Sequence, residues 1–219
     1  MLLLLKRACL ALFAATLCLP FAAFARPIDA SVMIEVVRST PATFAGFKLP
    51  HEGVGMGTAV DGGIVLTAAH VVFGASQIQL KDAEGRVSSA RIIALDPALD
   101  AAVLSLSRSL PGRSLIRERA TARGEETVVV PRWDPSAEEE PAMLRAPIQT
   151  TLWSNGSIAV PLIMTGIKGE TGMSGGGLFD ARGRIVGIVV RITSQLGYLS
   201  AVPIAAVCAS VKKCPPAEE

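Results

Sequence analysis

Gly172-Met173-Ser174-Gly175-Gly176 is the stretch on which the reading of this chain turns. A serine set among glycines belongs on a tight turn, with its hydroxyl exposed and neighbouring backbone N–H groups converging on one spot. A serine nucleophile needs a base, and the 219-residue chain holds only two histidines. His51 lies in an early, glycine-flanked stretch with no catalytic context. His70 closes Leu66-Thr67-Ala68-Ala69-His70, at the end of an apolar strand. Such a pair also requires an orienting acid. Asp100 is the leading candidate, a lone acid opening the apolar run Ala101–Leu106. Asp96 competes with it, but Pro97 directly after Asp96 points to a turn.

The order of these residues narrows the choice. Gly172-x-Ser174-x-Gly176 also fits the nucleophile elbow of the α/β-hydrolases, which place the histidine after the serine. No histidine follows Ser174. The subtilisin order needs an aspartate before His70, where only Asp29 and Asp61 stand, and Asp61 sits in an Asp61-Gly62-Gly63 turn. The order His70, Asp100, Ser174 is that of the chymotrypsin class.

Outside the motifs the chain reads as short apolar strands separated by turn residues. Runs rich in Val, Ile and Leu predict strands at 31–38, 54–60, 63–67, 77–80, 87–95 and 101–106. A polar, basic stretch at 107–124 reads as a linker. A second set follows at 127–131, 147–153, 157–165, 177–180, 184–192 and 196–202, with a loop at 132–146 and a short helix at 205–213. Many short strands at regular spacing favour a sandwich or a barrel over a parallel sheet. Two small antiparallel barrels side by side fit the length. No internal sequence repeat is visible.

The composition is 50% hydrophobic and 18% charged, which excludes a disordered chain. A formal charge of +2 gives no electrostatic footprint for nucleic acid. Much of the hydrophobic excess lies at the start. Lys6-Arg7, an apolar run from Ala8 to Leu19, Pro20 and Ala23-Phe24-Ala25 have the layout of a signal peptide, with cleavage expected after Ala25. The run is shorter than the roughly 20 residues of a spanning helix, so no membrane association is expected after cleavage. Removing 25 of the 219 residues leaves 194, with 19 basic against 19 acidic. Cys9 and Cys18 leave with the peptide. Cys208 and Cys214 are then expected to pair in an oxidising, periplasmic or secreted setting. With no CxxC pair and two histidines, neither metal nor cofactor is expected.

The motifs resemble a known family. Thr67-Ala68-Ala69-His70-Val71-Val72, Asp100 with its apolar strand, and Gly172-Met173-Ser174-Gly175-Gly176-Gly177-Leu178-Phe179 resemble the histidine, aspartate and serine motifs of trypsin-like serine proteases. Gly55-Met56-Gly57, Arg182-Gly183-Arg184-Ile185-Val186-Gly187-Ile188 and Tyr198-Leu199-Ser200-Ala201-Val202-Pro203 bring the pattern nearest to the HtrA/DegP-type proteases. The resemblance spans most of residues 31–207.

It implies an all-β, chymotrypsin-like fold of two perpendicular six-stranded antiparallel barrels. Residues 26–115 would hold His70 and Asp100, residues 116–207 would hold Ser174, and 208–219 would form a tail. It implies an exported endopeptidase acting on polypeptides. Ser174 would be the nucleophile, His70 the base and Asp100 the orienting acid, with the N–H groups of Gly172 and Ser174 as the oxyanion hole. Lys168, Val190 and Ile192 are expected near the primary substrate pocket. Met173 stands where HtrA-type enzymes usually have Asn and digestive enzymes Asp. That departure leaves an alternative, an inactive homologue that binds peptides or a protein. Only about a dozen residues follow Val207, so no PDZ domain is expected.

Overall fold

A computed structural model describes residues 26–61, 63–108, 110, 112–117, 119–133, 137, 139–153, 161–192 and 197–216. The signal peptide expected at 1–25 and part of the strand expected at 157–165 lie outside them.

Among the described residues, eight strands form the first half: β1 (Ser31–Val37), β2 (Ala42–Phe44), β3 (Phe47–Leu49), β4 (Glu52–Val60), β5 (Ile64–Thr67), β6 (Gln77–Lys81), β7 (Val87–Asp96) and β8 (Ala101–Leu106). Six form the second: β9 (Glu126–Val129), β10 (Leu144–Trp153), β11 (Pro161–Lys168), β12 (Gly177–Asp180), β13 (Ile185–Ile192) and β14 (Tyr198–Pro203). The helices are short: α1 (Pro27–Ala30), α2 (Ala69–Val72) and α3 (Ile204–Val211). Among the described residues no helix is long and apolar enough to cross a membrane.

The strands close two antiparallel barrels, ordered β1-β4-β5-β8-β7-β6 and β10-β11-β14-β13-β12-β9. Numbering each barrel's strands one to six along the chain gives the same cyclic order, 1-2-3-6-5-4, in both. The topology repeats although the sequence does not.

Strand alternation then divides the second barrel's side chains between two cores, because successive side chains point to opposite faces. Val129, Leu178, Val186, Val189 and Ala201 join one buried cluster that belongs to the second barrel alone. Their chain neighbours Val128, Phe179, Ile185, Ile188, Val190 and Val202 join a larger cluster with the interior of the first barrel and with α3. The barrels are thus fused along an apolar seam.

Among the differences from the sequence expectation, three bear on how the barrels are built. The hairpin of β2 and β3 was not foreseen. Its turn is Ala45-Gly46, both at positive φ (47° and 85°), and alanine gives no signal for such a turn. β10 starts at Leu144 rather than Pro147, because Leu144–Pro147 pairs with β9 before Ile148 onward pairs with β11. The 107–124 stretch is more than a linker. Ser114 bridges to Val60 and Ile116 to Ile185, so this segment is stitched to both barrels. After β14, α3 ends in a disulfide between Cys208 and Cys214, whose Cα atoms lie 5.3 Å apart.

Candidate active site

His70 rides on α2, directly after β5. Its ring Nδ1 lies 2.7 Å from Asp100 Oδ2, and its backbone N–H donates to Asp100 Oδ1 at 2.8 Å. The preceding N–H, that of Ala69, donates to the Asp100 carbonyl at 3.0 Å. Asp100 therefore holds His70 by side chain and main chain together. It does so from a backbone at φ 53°, a region that Asp tolerates better than most residues. A carboxylate only accepts hydrogen bonds, so the Asp100 contact places the ring proton on Nδ1 and leaves Nε2 as the basic nitrogen.

Asp96 has a different task. Its Oδ1 accepts the N–H groups of Ala98 (2.8 Å) and Leu99 (3.1 Å), and its Oδ2 accepts the Ser210 hydroxyl. It caps the turn that delivers Asp100 and ties that turn to α3. His51 is exposed; its carbonyl accepts the Arg38 N–H at 2.8 Å.

Arg38 is the residue that sequence reasoning passed over. It is 2% exposed. Its guanidinium donates to the carbonyls of Phe73 (2.8 Å), Pro50 (3.0 Å), His70 (3.3 Å) and Val71 (2.7 Å). Three of these carbonyls belong to α2 and its C-cap, which lack partners within so short a helix. Burial pulls the Arg38 pKa below the ordinary arginine value, yet arginine keeps its charge in proteins. The only sequence signal was a lone arginine ending an apolar strand. Phe44, from the β2–β3 hairpin, stands 6.2 Å from His70 between ring centroids and packs edge-on against Phe73.

Ser174 comes from the turn between β11 and β12, and this turn crosses the seam. The Met56 N–H of β4 donates to the Ser174 carbonyl at 2.8 Å. A Cβ built on Gly55 would lie 2.7 Å from the Val71 side chain and 3.0 Å from the Ser174 carbonyl, so the chain beside His70 and the chain of Ser174 meet there. Gly175 has φ +86°, and a Cβ on it would strike the Met56 carbonyl and the Thr67 hydroxyl. Only glycine lets the serine turn press this closely on the strand that leads to His70. Behind the serine, Gly175 N–H donates to the Val189 carbonyl (2.6 Å) and Val189 N–H to the Gly176 carbonyl (2.8 Å). Among the described residues, the N–H groups of Gly172 and Ser174 meet no protein acceptor.

Of the residues expected at the substrate pocket, Lys168 and Ile192 come to one edge of the second barrel. Gly169 separates them: a Cβ on it would lie 2.6 Å from Ile192 Cγ1. The Lys168 ammonium sits 4.3 Å over the Tyr198 ring. Val190 does not join them; it is buried in the seam. No group of three or more His, Cys, Asp or Glu side chains fit to hold a metal ion occurs among the described residues.

Comparison with known proteins places the chain in a family and supports its fold. Residues 55–188 match the trypsin-like peptidase domain family. Over 147 residues, 65% of this chain, the sequence is 30% identical to a probable periplasmic serine endoprotease, DegP-like, of Halomonas elongata. The match spans only 31% of that relative's length. Among solved structures, the HtrA-type protease AlgW with a tripeptide superposes with a TM-score of 0.69 at 23% identity, covering 85% of this chain and 60% of that one. The active form of the Rv3671c protease from M. tuberculosis gives 0.70 at 18% identity, covering 88% and 85%. At these identities the two structures speak for the fold.

Proposed function

The chain belongs to the trypsin-like peptidase domain family, and from that premise we propose that it is an exported serine endopeptidase of the HtrA type, cleaving polypeptides through an acyl-enzyme. The observation that carries the reading is the double grip of Asp100 on His70, which fixes the tautomer a general base needs.

In this reading Ser174 Oγ attacks the peptide carbonyl while His70 Nε2 takes its proton. The negative charge that builds on the carbonyl oxygen is received by the N–H groups of Gly172 and Ser174. Their lack of protein acceptors supports that role. His70, now an imidazolium steadied by Asp100, returns the proton to the leaving amine. Water attacks the acyl-enzyme by the same relay in reverse. The signal-like layout of residues 1–25, and the periplasmic description of the Halomonas relative, support export. The Cys208–Cys214 pair fits the same compartment.

An activity-based fluorophosphonate probe tests the reading. The purified protein should label at neutral pH, and labelling should vanish in Ser174→Ala. A folded wild-type protein that stays unlabelled refutes it.

A further inference from the structure

Met173 is the unusual residue of the serine motif. Its side chain is 0% exposed, packed in the second barrel's own core with Leu178, Val189 and Leu199. It also takes part in the turn's hydrogen bonding with three separate groups. Its N–H donates to the Glu170 carbonyl at 3.3 Å, and its thioether Sδ accepts the Glu170 N–H at 3.3 Å. Its carbonyl accepts the Gly176 N–H at 3.2 Å. The first two contacts are reciprocal and close the turn 170–173 on itself. The third ties the turn to the chain beyond Ser174.

The residues on either side of Met173, Gly172 and Ser174, carry N–H groups that meet no acceptor among the described residues. The geometry points to Met173 as the positioning residue for this donor pair, an inference that rests on their role as the oxyanion hole. The position of the Met173 Cα sets the separation of the flanking peptides. The side chain fixes that position by an apolar anchor below and a sulfur acceptor toward Glu170. The anchor itself carries no charge: apolar packing and a thioether acceptor hold the turn in its formed state. The flanking glycine needs this restraint: Gly172 has φ +94°, and glycine left unrestrained samples many other conformations.

Amide hydrogen exchange on the full chain tests the anchor directly. Glu170 is exposed, yet its amide is expected to be protected. In Met173→Leu, which keeps the apolar bulk and lacks the acceptor, that protection should disappear. The fluorophosphonate labelling rate of Ser174 should fall roughly tenfold, a fraction of the loss that follows deletion of an oxyanion donor. KM for a denatured protein substrate and the thermal midpoint should stay near wild type. Glu170→Ala keeps the N–H, and protection of the residue 170 amide should persist in it. An unprotected Glu170 amide in the wild type overturns the inference, as does a folded Met173→Leu protein that labels at the wild-type rate. If the wild type fails to label, the peptidase reading falls, and Glu170 protection alone still decides whether Met173 anchors the turn.

Discussion

In the first barrel His70 is gripped by polar groups: the Asp100 carboxylate meets its ring and its backbone N–H, and Arg38 donates to the carbonyls of His70 and Val71 on α2. In the second barrel Ser174 is framed by a buried methionine and by glycine backbone, and the Arg132 side chain packs against Gly172 chiefly through its aliphatic stem. The barrels repeat one topology, so strand order does not dictate how a reacting group is held. The chemistry of the group does. In the proposed relay an imidazole that keeps one tautomer and gains charge needs directional partners. A hydroxyl and two N–H groups that stay neutral need only a rigid backbone. The first barrel should therefore suffer most from changes of polarity at constant shape, and the second from changes that leave charge alone.

Asp100→Asn is the sharpest way to break that contrast. The amide is nearly isosteric with the carboxylate, and it can offer N–H to Nδ1 and stabilise the wrong tautomer. We expect the fold to persist and the rate to fall about 10⁴-fold, as in the chymotrypsin-class example of this change. Steady-state hydrolysis of a denatured protein checks it. An unchanged rate would mean that Asp100 merely braces the chain.

Arg38→Met comes next and concerns stability. It removes the donor from four carbonyls behind His70. Buried acceptors left without partners cost about 1–3 kcal/mol each, reduced where the site relaxes or admits water. A net loss of roughly 3 kcal/mol in urea denaturation is expected. Arg38→Lys should lose less, because it keeps the charge and some of the donors. A midpoint unmoved in both variants would show that α2 supports itself and that the polar grip is confined to Asp100.

The same contrast explains which parts of the molecule were legible in the sequence. The proposed site residues Ser174, His70 and Asp100 stand out in the sequence because their signals are local: a glycine-rich turn, a strand end and an acid opening an apolar run. Most strands were legible for the same reason, since Val, Ile and Leu runs bounded by turns report pleated, half-buried backbone. Arg38 was not legible because it acts on carbonyls, and every residue has one. Phe44 escaped notice because its hairpin turns on Ala45, a residue that seldom adopts positive φ. Met173 was visible only as a departure from pattern; its sulfur contact to Glu170 exists only once the turn is folded.

The smallest expected effect lies where the two halves are joined by a polar tie. Asp96, at the end of β7, accepts the hydroxyl of Ser210 on α3, which follows the second barrel. Burial by itself would raise the Asp96 pKa. The Ser210 hydroxyl and the N–H groups of Leu99 and Ala98 outweigh it and hold the carboxyl below its ordinary 3.8. A folded-state pKa below the unfolded one means that protonation favours unfolding. The contribution is thus complete above pH 3.8 and fades as the pH falls through the lower folded value. Asp96 is half-buried, so solvent screening should still keep the contribution below about 1 kcal/mol. Urea midpoints of wild type and Asp96→Asn, measured across that acid range, should therefore converge as the pH drops. A gap that stays constant with pH would assign the tie to hydrogen bonding alone, and a gap that widens would overturn the direction of the shift. Either result would also bear on Asp100, because the turn that Asp96 caps is the one that delivers the acid to His70.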